Sequence, residues 1–187
     1  MNLETKRLTL RGGTIEALEA DLRGTDDLAR ELNCIVPGNW PPLYYDAPAI
    51  EYTLNSMRSQ PKAEVDTGFG LYYFILREDT AGPAPAGPTL VGVGGFGFKE
   101  EAGEGVVELG YGVLPQYQKR GIATEAVQAF LRHSFANSSV RSVIAQTMPD
   151  LVASIRVLDK SGFTLRGSGL EEGAILYAIE RTGFSGW

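Results

Sequence analysis

The stretch Glu108-Leu109-Gly110-Tyr111-Gly112-Val113-Leu114-Pro115-Gln116-Tyr117-Gln118-Lys119-Arg120-Gly121-Ile122-Ala123-Thr124-Glu125-Ala126 reads as a strand, a short glycine-bearing loop and the start of a helix. The first backbone N–H groups of a helix lack intrahelical partners, and the helix dipole adds roughly half a positive charge there, so main chain can hold a phosphate. Gly121 lets the backbone approach such a group closely. Two other phosphate loops are excluded. No G-x-x-x-x-G-K-[ST] run occurs, and the glycine-rich segment from Gly92 to Gly97 continues into another strand rather than a helix. Gly110 and Gly112 are unexpected inside a strand, where glycine leaves nothing to pack. They imply either a bulge or the close approach of another backbone or a ligand.

Within this stretch, Gln118 to Ala123 matches the signature Q/R-x-x-G-x-G/A. Pro149 to Phe163 reads P-D-L-V-A-S-I-R-V-L-D-K-S-G-F, close to P-D-N-x-x-S-x-R-V-L-E-K-x-G-F, and Leu3 to Arg11 follows L-x-T-x-R-L-x-L-R. On these three motifs, in this order, the chain resembles the GNAT superfamily of N-acetyltransferases and, within it, the RimJ/RimL-like branch. The resemblance spans nearly the whole chain and is vaguest between about Ala20 and Gly68. It implies an α/β (mixed α+β) fold in a single domain over residues 1–187, with a central mixed, mostly antiparallel sheet, a splayed parallel pair and flanking helices. It also implies acetyl-CoA as co-substrate, its pyrophosphate on the loop of Gln118, Lys119, Arg120, Gly121, Ile122, Ala123 and Thr124. The pantetheine arm would pair like an added strand with main-chain groups of Tyr111 and Val113, and the Val113 N–H could help stabilise the thioester oxyanion. The family's acceptors include protein N-termini, polyamines, aminoglycosides and other small amines, and its members are commonly monomers or homodimers.

At 187 residues the chain is long enough to bury about two-thirds of its unfolded surface without metals or disulfides. Cys34 is the only cysteine and cannot form an intramolecular disulfide; neither a secretory signal nor a run of about 18 apolar residues occurs. A cytoplasmic protein bound to no membrane is the expectation. A formal charge of −6 argues against a nucleic-acid partner.

Apolar alternation predicts a strand over Leu3 to Arg11, ended by Gly12-Gly13, and Thr14 and Thr25 read as N-caps of two amphipathic helices, the first with Ile15, Leu18 and Leu22 on one face. Pro37-Gly38 and Pro41-Pro42 enforce an irregular connector before a helix from Ala49 to Arg58. Phe69 to Arg77 reads as a strand, Thr80 to Pro88 as a turn-loop, and Leu90 to Lys99 with Val106 to Val113 as an antiparallel hairpin. A helix from Gly121 to Phe135, a strand from Arg141 to Thr147, a helix from Leu151 to Ser161 and strands near Phe163 to Arg166 and Ala174 to Arg181 complete the chain. Only the helix from Gly121 links strands that can be parallel.

Attack on a thioester requires a neutral amine, so a nearby carboxylate would help remove a proton. Glu108, two residues before Gly110, is the candidate; a solvent-facing or ion-paired strand glutamate is the alternative reading. Glu125 sits in the first helical turn, where the dipole already explains an acid. Ser154 matches the motif serine, which can serve proton transfer to the leaving thiolate, or it is simply an early-helix serine. Leu151 stands where the motif has Asn, and Leu158 where some family members place a tyrosine acid. His133, the only histidine, reads as structural, and one histidine with one cysteine supply no zinc site, so no metal is expected. Trp40, Tyr44, Tyr45 and Tyr52 either line an acceptor pocket or pack the N-terminal helices. Two functions follow: direct acetyl transfer to a primary amine in a ternary complex or, given Leu151 and Leu158, a catalytically weak acyl-CoA-binding regulatory or interaction module.

Overall fold

The computed structural model describes residues 1–59, 68–78 and 87–186. Eight strands form one sheet: β1 (Asn2–Glu4), β2 (Leu8–Gly12), β3 (Gly70–Leu76), β4 (Thr89–Phe98), β5 (Val106–Val113), β6 (Ser142–Thr147), β7 (Thr164–Ser168) and β8 (Ile175–Glu180). Their spatial order is β1-β2-β3-β4-β5-β6-β8-β7. Every neighbouring pair is antiparallel except β5 and β6, which are parallel. Five α-helices flank the sheet: α1 (Ile15–Arg23), α2 (Thr25–Leu32), α3 (Ala47–Ser59), α4 (Ile122–Ala136) and α5 (Val152–Lys160). The mixed α/β sheet with one parallel pair is the architecture expected from the motifs, and α4 is the crossover that a parallel pair requires.

Side-chain alternation along a strand assigns the helices to two faces. Tyr72 and Phe74 of β3 and Phe96 of β4 pack their rings against Phe130 of α4. Tyr73, between them, points the other way, against Trp40 in the connector and Asp21 of α1. The cross-strand register carries the α4 face onward to Leu109, Tyr111 and Val113 of β5. The opposite face receives Glu108, Gly110 and Gly112. Helix α5 joins the α4 face, where Ser154 meets Tyr111.

Three local expectations need correction. Leu3 to Arg11 is two antiparallel strands, not one, because the chain reverses at Thr5, whose Oγ1 accepts the Leu8 N–H at 2.9 Å. Thr14 caps α1 through the Ala17 N–H as expected, but Thr25 lies inside α2, whose N-cap is Gly24. Gly24 adopts φ 129°, which side chains disfavour, so it both ends α1 and begins α2. Leu22 is 37% exposed; the buried face of α1 is Ala17, Leu18, Ala20 and Asp21. The Thr80 to Pro88 turn-loop falls outside the described residues except for Gly87 and Pro88.

Candidate active site

Strands β5 and β6 pair only from Val106↔Ser142 to Glu108↔Ile144. Beyond that point β5 runs on to Val113 and β6 to Thr147 without pairing, so the sheet opens. The β4–β5 register is regular throughout, which rules out a bulge at Gly110 or Gly112. The Gly110 and Gly112 carbonyls point at β4, 2.7 and 2.5 Å from where a Cβ on Gly94 or Gly92 would stand. Because backbone groups alternate sides along a strand, the Tyr111 and Val113 N–H and C=O face the opening. Gln118 Nε2 donates to the Val113 carbonyl there, at 3.0 Å.

A cleft of about 860 Å³ occupies the opening and reaches both faces of the sheet. At one end stands α4, begun by Gly121 with φ 77° and capped by no side chain. The N–H groups of Ile122, Ala123 and Thr124 are those a helix leaves without internal partners. Lys119, Gln118 and these three residues all line the cleft, and so do Arg156 and Lys160 of α5. Arg120 does not; its guanidinium lies over the Tyr117 ring, 5.5 Å from the centroid. An uncapped helix end with Lys119 beside it, in a cleft that Arg156 and Lys160 also line, suits a diphosphate, and the free edge of β5 suits an amide-bearing arm, so these residues fit coenzyme A.

The β1–β2 turn holds this loop from behind. Glu125 Oε1 accepts the Thr5 hydroxyl at 2.6 Å and the Arg7 N–H at 2.7 Å, and Oε2 accepts Arg7 Nε at 2.7 Å. Arg7 Nη1 donates to the Arg120 carbonyl at 2.8 Å. Burial pushes the Glu125 carboxyl up, but the Thr5 and Arg7 hydrogen bonds outweigh it and hold the group below its ordinary value. Glu125 therefore has the structural role that its place in the first turn suggested.

Ser154 Oγ lies 3.2 Å from the Tyr111 hydroxyl, which also donates to the Ser154 carbonyl. Both residues line the cleft, and burial pushes the Tyr111 phenol up to about 12. Leu151 is a wall of the cleft, whereas Leu158 is fully buried and packs the core.

Glu108 is not a wall of the cleft. Its Oε1 accepts from Gln146 Nε2 at 2.6 Å and its Oε2 lies 3.2 Å from Lys99 Nζ. This hydrogen bond and charge hold the Lys99 ammonium above its ordinary range. Gln146 is the wall in front of Glu108, and its Oε1 accepts the Leu170 and Glu171 N–H groups at 2.5 and 3.1 Å. The β7–β8 turn thereby brings Glu171 to the cleft, the one carboxylate among its described walls. Sequence reasoning missed both residues. The isolated glutamine in the apolar run of β6 was a usable signal; Glu171-Glu172 in a glycine-flanked turn resembles any solvated loop.

The connector supplies Leu43, Tyr44 and Tyr45 as walls. Trp40 is packed rather than lining, and Tyr52 is 79% exposed on α3 and outside the cleft. His133 packs edge-on to Phe69 and Phe96. Burial pushes the Cys34 thiol up to about 11, far from nucleophilic poise. Among the described residues no cluster of His, Cys, Asp or Glu could hold a metal ion, and no helix is long and apolar enough to cross a membrane.

A sheet split at one parallel pair, with an uncapped helix end at the split, defines a fold that can seat a phosphate-bearing ligand against the free edge of β5. Residues 7–164 match the Acetyltransferase (GNAT) domain. The chain belongs to the GNAT family, a class of acetyl-CoA-dependent N-acetyltransferases. It is 25% identical over 170 residues to the uncharacterized N-acetyltransferase YjdG of Bacillus subtilis (strain 168), covering 90% of this chain and 93% of YjdG. It is 35% identical to YnaD of the same organism over 75 residues, 40% of this chain and 44% of YnaD. The ribosomal-protein alpha-N-acetyltransferase RimL, solved with coenzyme A, superposes with a TM-score of 0.62 at 18% identity, covering 96% of this chain and 98% of RimL. An aminoglycoside acetyltransferase solved with coenzyme A gives 0.61 at 17%, covering 95% and 96%. At these identities the likeness to the two structures is one of fold.

Proposed function

We propose that residues 1–187 act as one RimJ/RimL-like domain that transfers acetyl from acetyl-CoA to a primary amine by direct attack in a ternary complex. The observation that carries this reading is a single cleft joining the α4 N-terminus on one face to Tyr44 and Glu171 on the other. The diphosphate sits on Lys119 and the amides of Ile122 to Thr124, and the pantetheine arm runs along Tyr111 and Val113. The thioester, at the end of the arm away from the diphosphate, then faces the Tyr111 N–H, and the amine arrives over Gly110, where no atom lies within 4 Å of a Cβ position. The amine nitrogen bonds to the carbonyl carbon as the C–S bond breaks. Its proton passes to a carboxylate, and the thiolate takes a proton through Ser154 and Tyr111.

Two carboxylates can take the amine proton. Glu171 lines the cleft, whereas Glu108 acts through water past Gln146. An α-amino group, with pKa near 7.7–8.0, is roughly 9–17% neutral at pH 7, against about 0.04% for a lysine-like amine. A protein N-terminus, already partly neutral, therefore asks less of a carboxylate at this site than an alkylamine does. RimL carries a protein α-amine in its name and the aminoglycoside enzyme a small amine, so both classes belong in the acceptor panel. Burial of Leu158, which cannot donate a proton, supports the second reading, a weakly catalytic acyl-CoA-binding module.

Calorimetric titration with acetyl-CoA, paired with Gly121→Glu, tests the donor site; binding lost in the variant is expected, and no wild-type binding would overturn both readings. Amine-dependent CoA release over N-terminal peptides, polyamines and aminoglycosides then separates transferase from module. Glu171→Gln is expected to lower kcat/KM by roughly 10²-fold. A loss confined to Glu108→Gln would assign the proton to that residue instead.

A further inference from the structure

Helix α1 buries a carboxylate on the face that should be apolar. Asp21 is 8% exposed, on the same buried face as Ala17 and Leu18. Its Oδ1 accepts the Trp40 indole N–H at 2.8 Å. Its Oδ2 accepts the Tyr73 hydroxyl at 3.0 Å and the Tyr45 hydroxyl at 3.1 Å. All three donors are neutral, so the carboxylate gains hydrogen bonds but no counter-charge from them. A buried charge of this kind is costly unless hydrogen-bonded, and losing a partner strands it.

The donors come from separate parts of the chain. Tyr73 belongs to β3, paired on both sides within the sheet, while Trp40 and Tyr45 bracket the proline-rich turn of the connector. Trp40 also packs edge-on to Tyr45, with centroids 5.9 Å apart. Asp21 thus ties both ends of the turn to β3. The residues between the ties reach the cleft: Pro42 Cγ lies 3.3 Å and the Leu43 carbonyl 3.6 Å from where a Gly112 Cβ would stand. Leu43 and Tyr44 are walls of the cleft on the face away from α4, yet are 75% and 73% exposed, so little else packs them in position.

We propose that Asp21 is a positioning residue for the amine-binding wall: its carboxylate fixes the Trp40 to Tyr45 turn and so sets acceptor affinity without touching either substrate. The proposal rests on the reading of this face as the amine side. It separates the two substrates, because the hydrogen bonds of the clamp join Asp21, Trp40, Tyr45 and Tyr73 and involve none of the residues assigned to the diphosphate.

The test uses the full chain in a Trp187→Phe background, in which Trp40 is the only tryptophan. Asp21→Asn is expected to leave acetyl-CoA affinity within about twofold, to raise the amine KM about tenfold or more with kcat changed less, and to make Trp40 more accessible to acrylamide with red-shifted emission. Tyr45→Phe, a milder change, should move KM and quenching in the same direction by about threefold. Unchanged quenching and KM in folded Asp21→Asn would overturn the proposal. Equal weakening of amine and acetyl-CoA would also overturn it, since that is the signature of a general loss of structure. A wild-type protein that binds acetyl-CoA but acetylates no amine defeats the functional reading. Trp40 quenching then decides the clamp alone, in either direction.

Discussion

Asp21 and Glu125 are both carboxylates with several hydrogen bonds, yet their environments push them in opposite directions. Desolvation raises Asp21 above its ordinary 3.8 despite the Trp40, Tyr73 and Tyr45 donors, whereas the Thr5 and Arg7 bonds bring Glu125 below its ordinary 4.5 despite burial. A raised carboxylate binds its proton more tightly folded than unfolded, so its contribution is most favourable below the unfolded value and declines as pH climbs through the folded one. A lowered carboxylate contributes fully above its unfolded value and loses this as pH falls through the folded one. Urea unfolding across pH 3 to 7 should therefore separate the two. Relative to wild type, Asp21→Asn should fare better as pH rises past 3.8, while the cost of Glu125→Gln should be largest at neutral pH and shrink below 4.5. Parallel trends would mean that the two environments do not differ as described. Neither network was legible in the sequence, since the partners of Asp21 lie 19, 24 and 52 positions away and those of Glu125 about 120. Glu125 could still be read as structural from its first-turn position alone. Asp21 carried no such local reason.

Among elements, the α4 N-terminus was the most legible, because strand, glycine loop and helix are consecutive in the chain and their chemistry is mainly local. Its support was not. The alternating Leu3 to Arg11 run gave no sign of reversing, since a turn at Thr5-Lys6-Arg7 preserves polar spacing while sending the chain back. That turn delivers Arg7 to the loop, where Nε binds Glu125 and Nη1 binds the Arg120 carbonyl. The guanidinium spans both partners because its donors are fixed in a fork; an ammonium is a point charge and cannot. Arg7→Lys should therefore keep the fold and charge but loosen the loop, weakening acetyl-CoA about fivefold, or ~1 kcal/mol, the scale of one hydrogen bond. Calorimetry reads this directly, and the amine KM at saturating acetyl-CoA should not move. An unchanged acetyl-CoA affinity would mean that the loop holds its shape without Arg7.

At the scale of the whole molecule, the sheet is open in one place and closed beside it, the proposed function uses both, and glycines do both jobs. Gly94 must be small, because a Cβ there would stand 2.7 Å from both the Gly110 carbonyl and the Phe74 ring. Gly110 faces the cleft, with nothing within 4 Å of a Cβ position. The sequence pattern marks both as glycines in strands and implies close approach, but the split between backbone contact and open space depends on where β6 leaves β5. Gly110→Val should consequently fold like wild type and bind acetyl-CoA normally, since its side chain would enter the space on the face away from α4. Filling that space should raise the amine KM by tenfold or more. Gly94→Ala should instead destabilise the protein by about 1–3 kcal/mol, the usual cost of overpacking a core. Thermal melts and the two substrate titrations distinguish these outcomes. If Gly110→Val weakened acetyl-CoA while sparing the amine, the two substrates would have to exchange faces of the sheet, and the uncapped end of α4 would no longer mark the donor side.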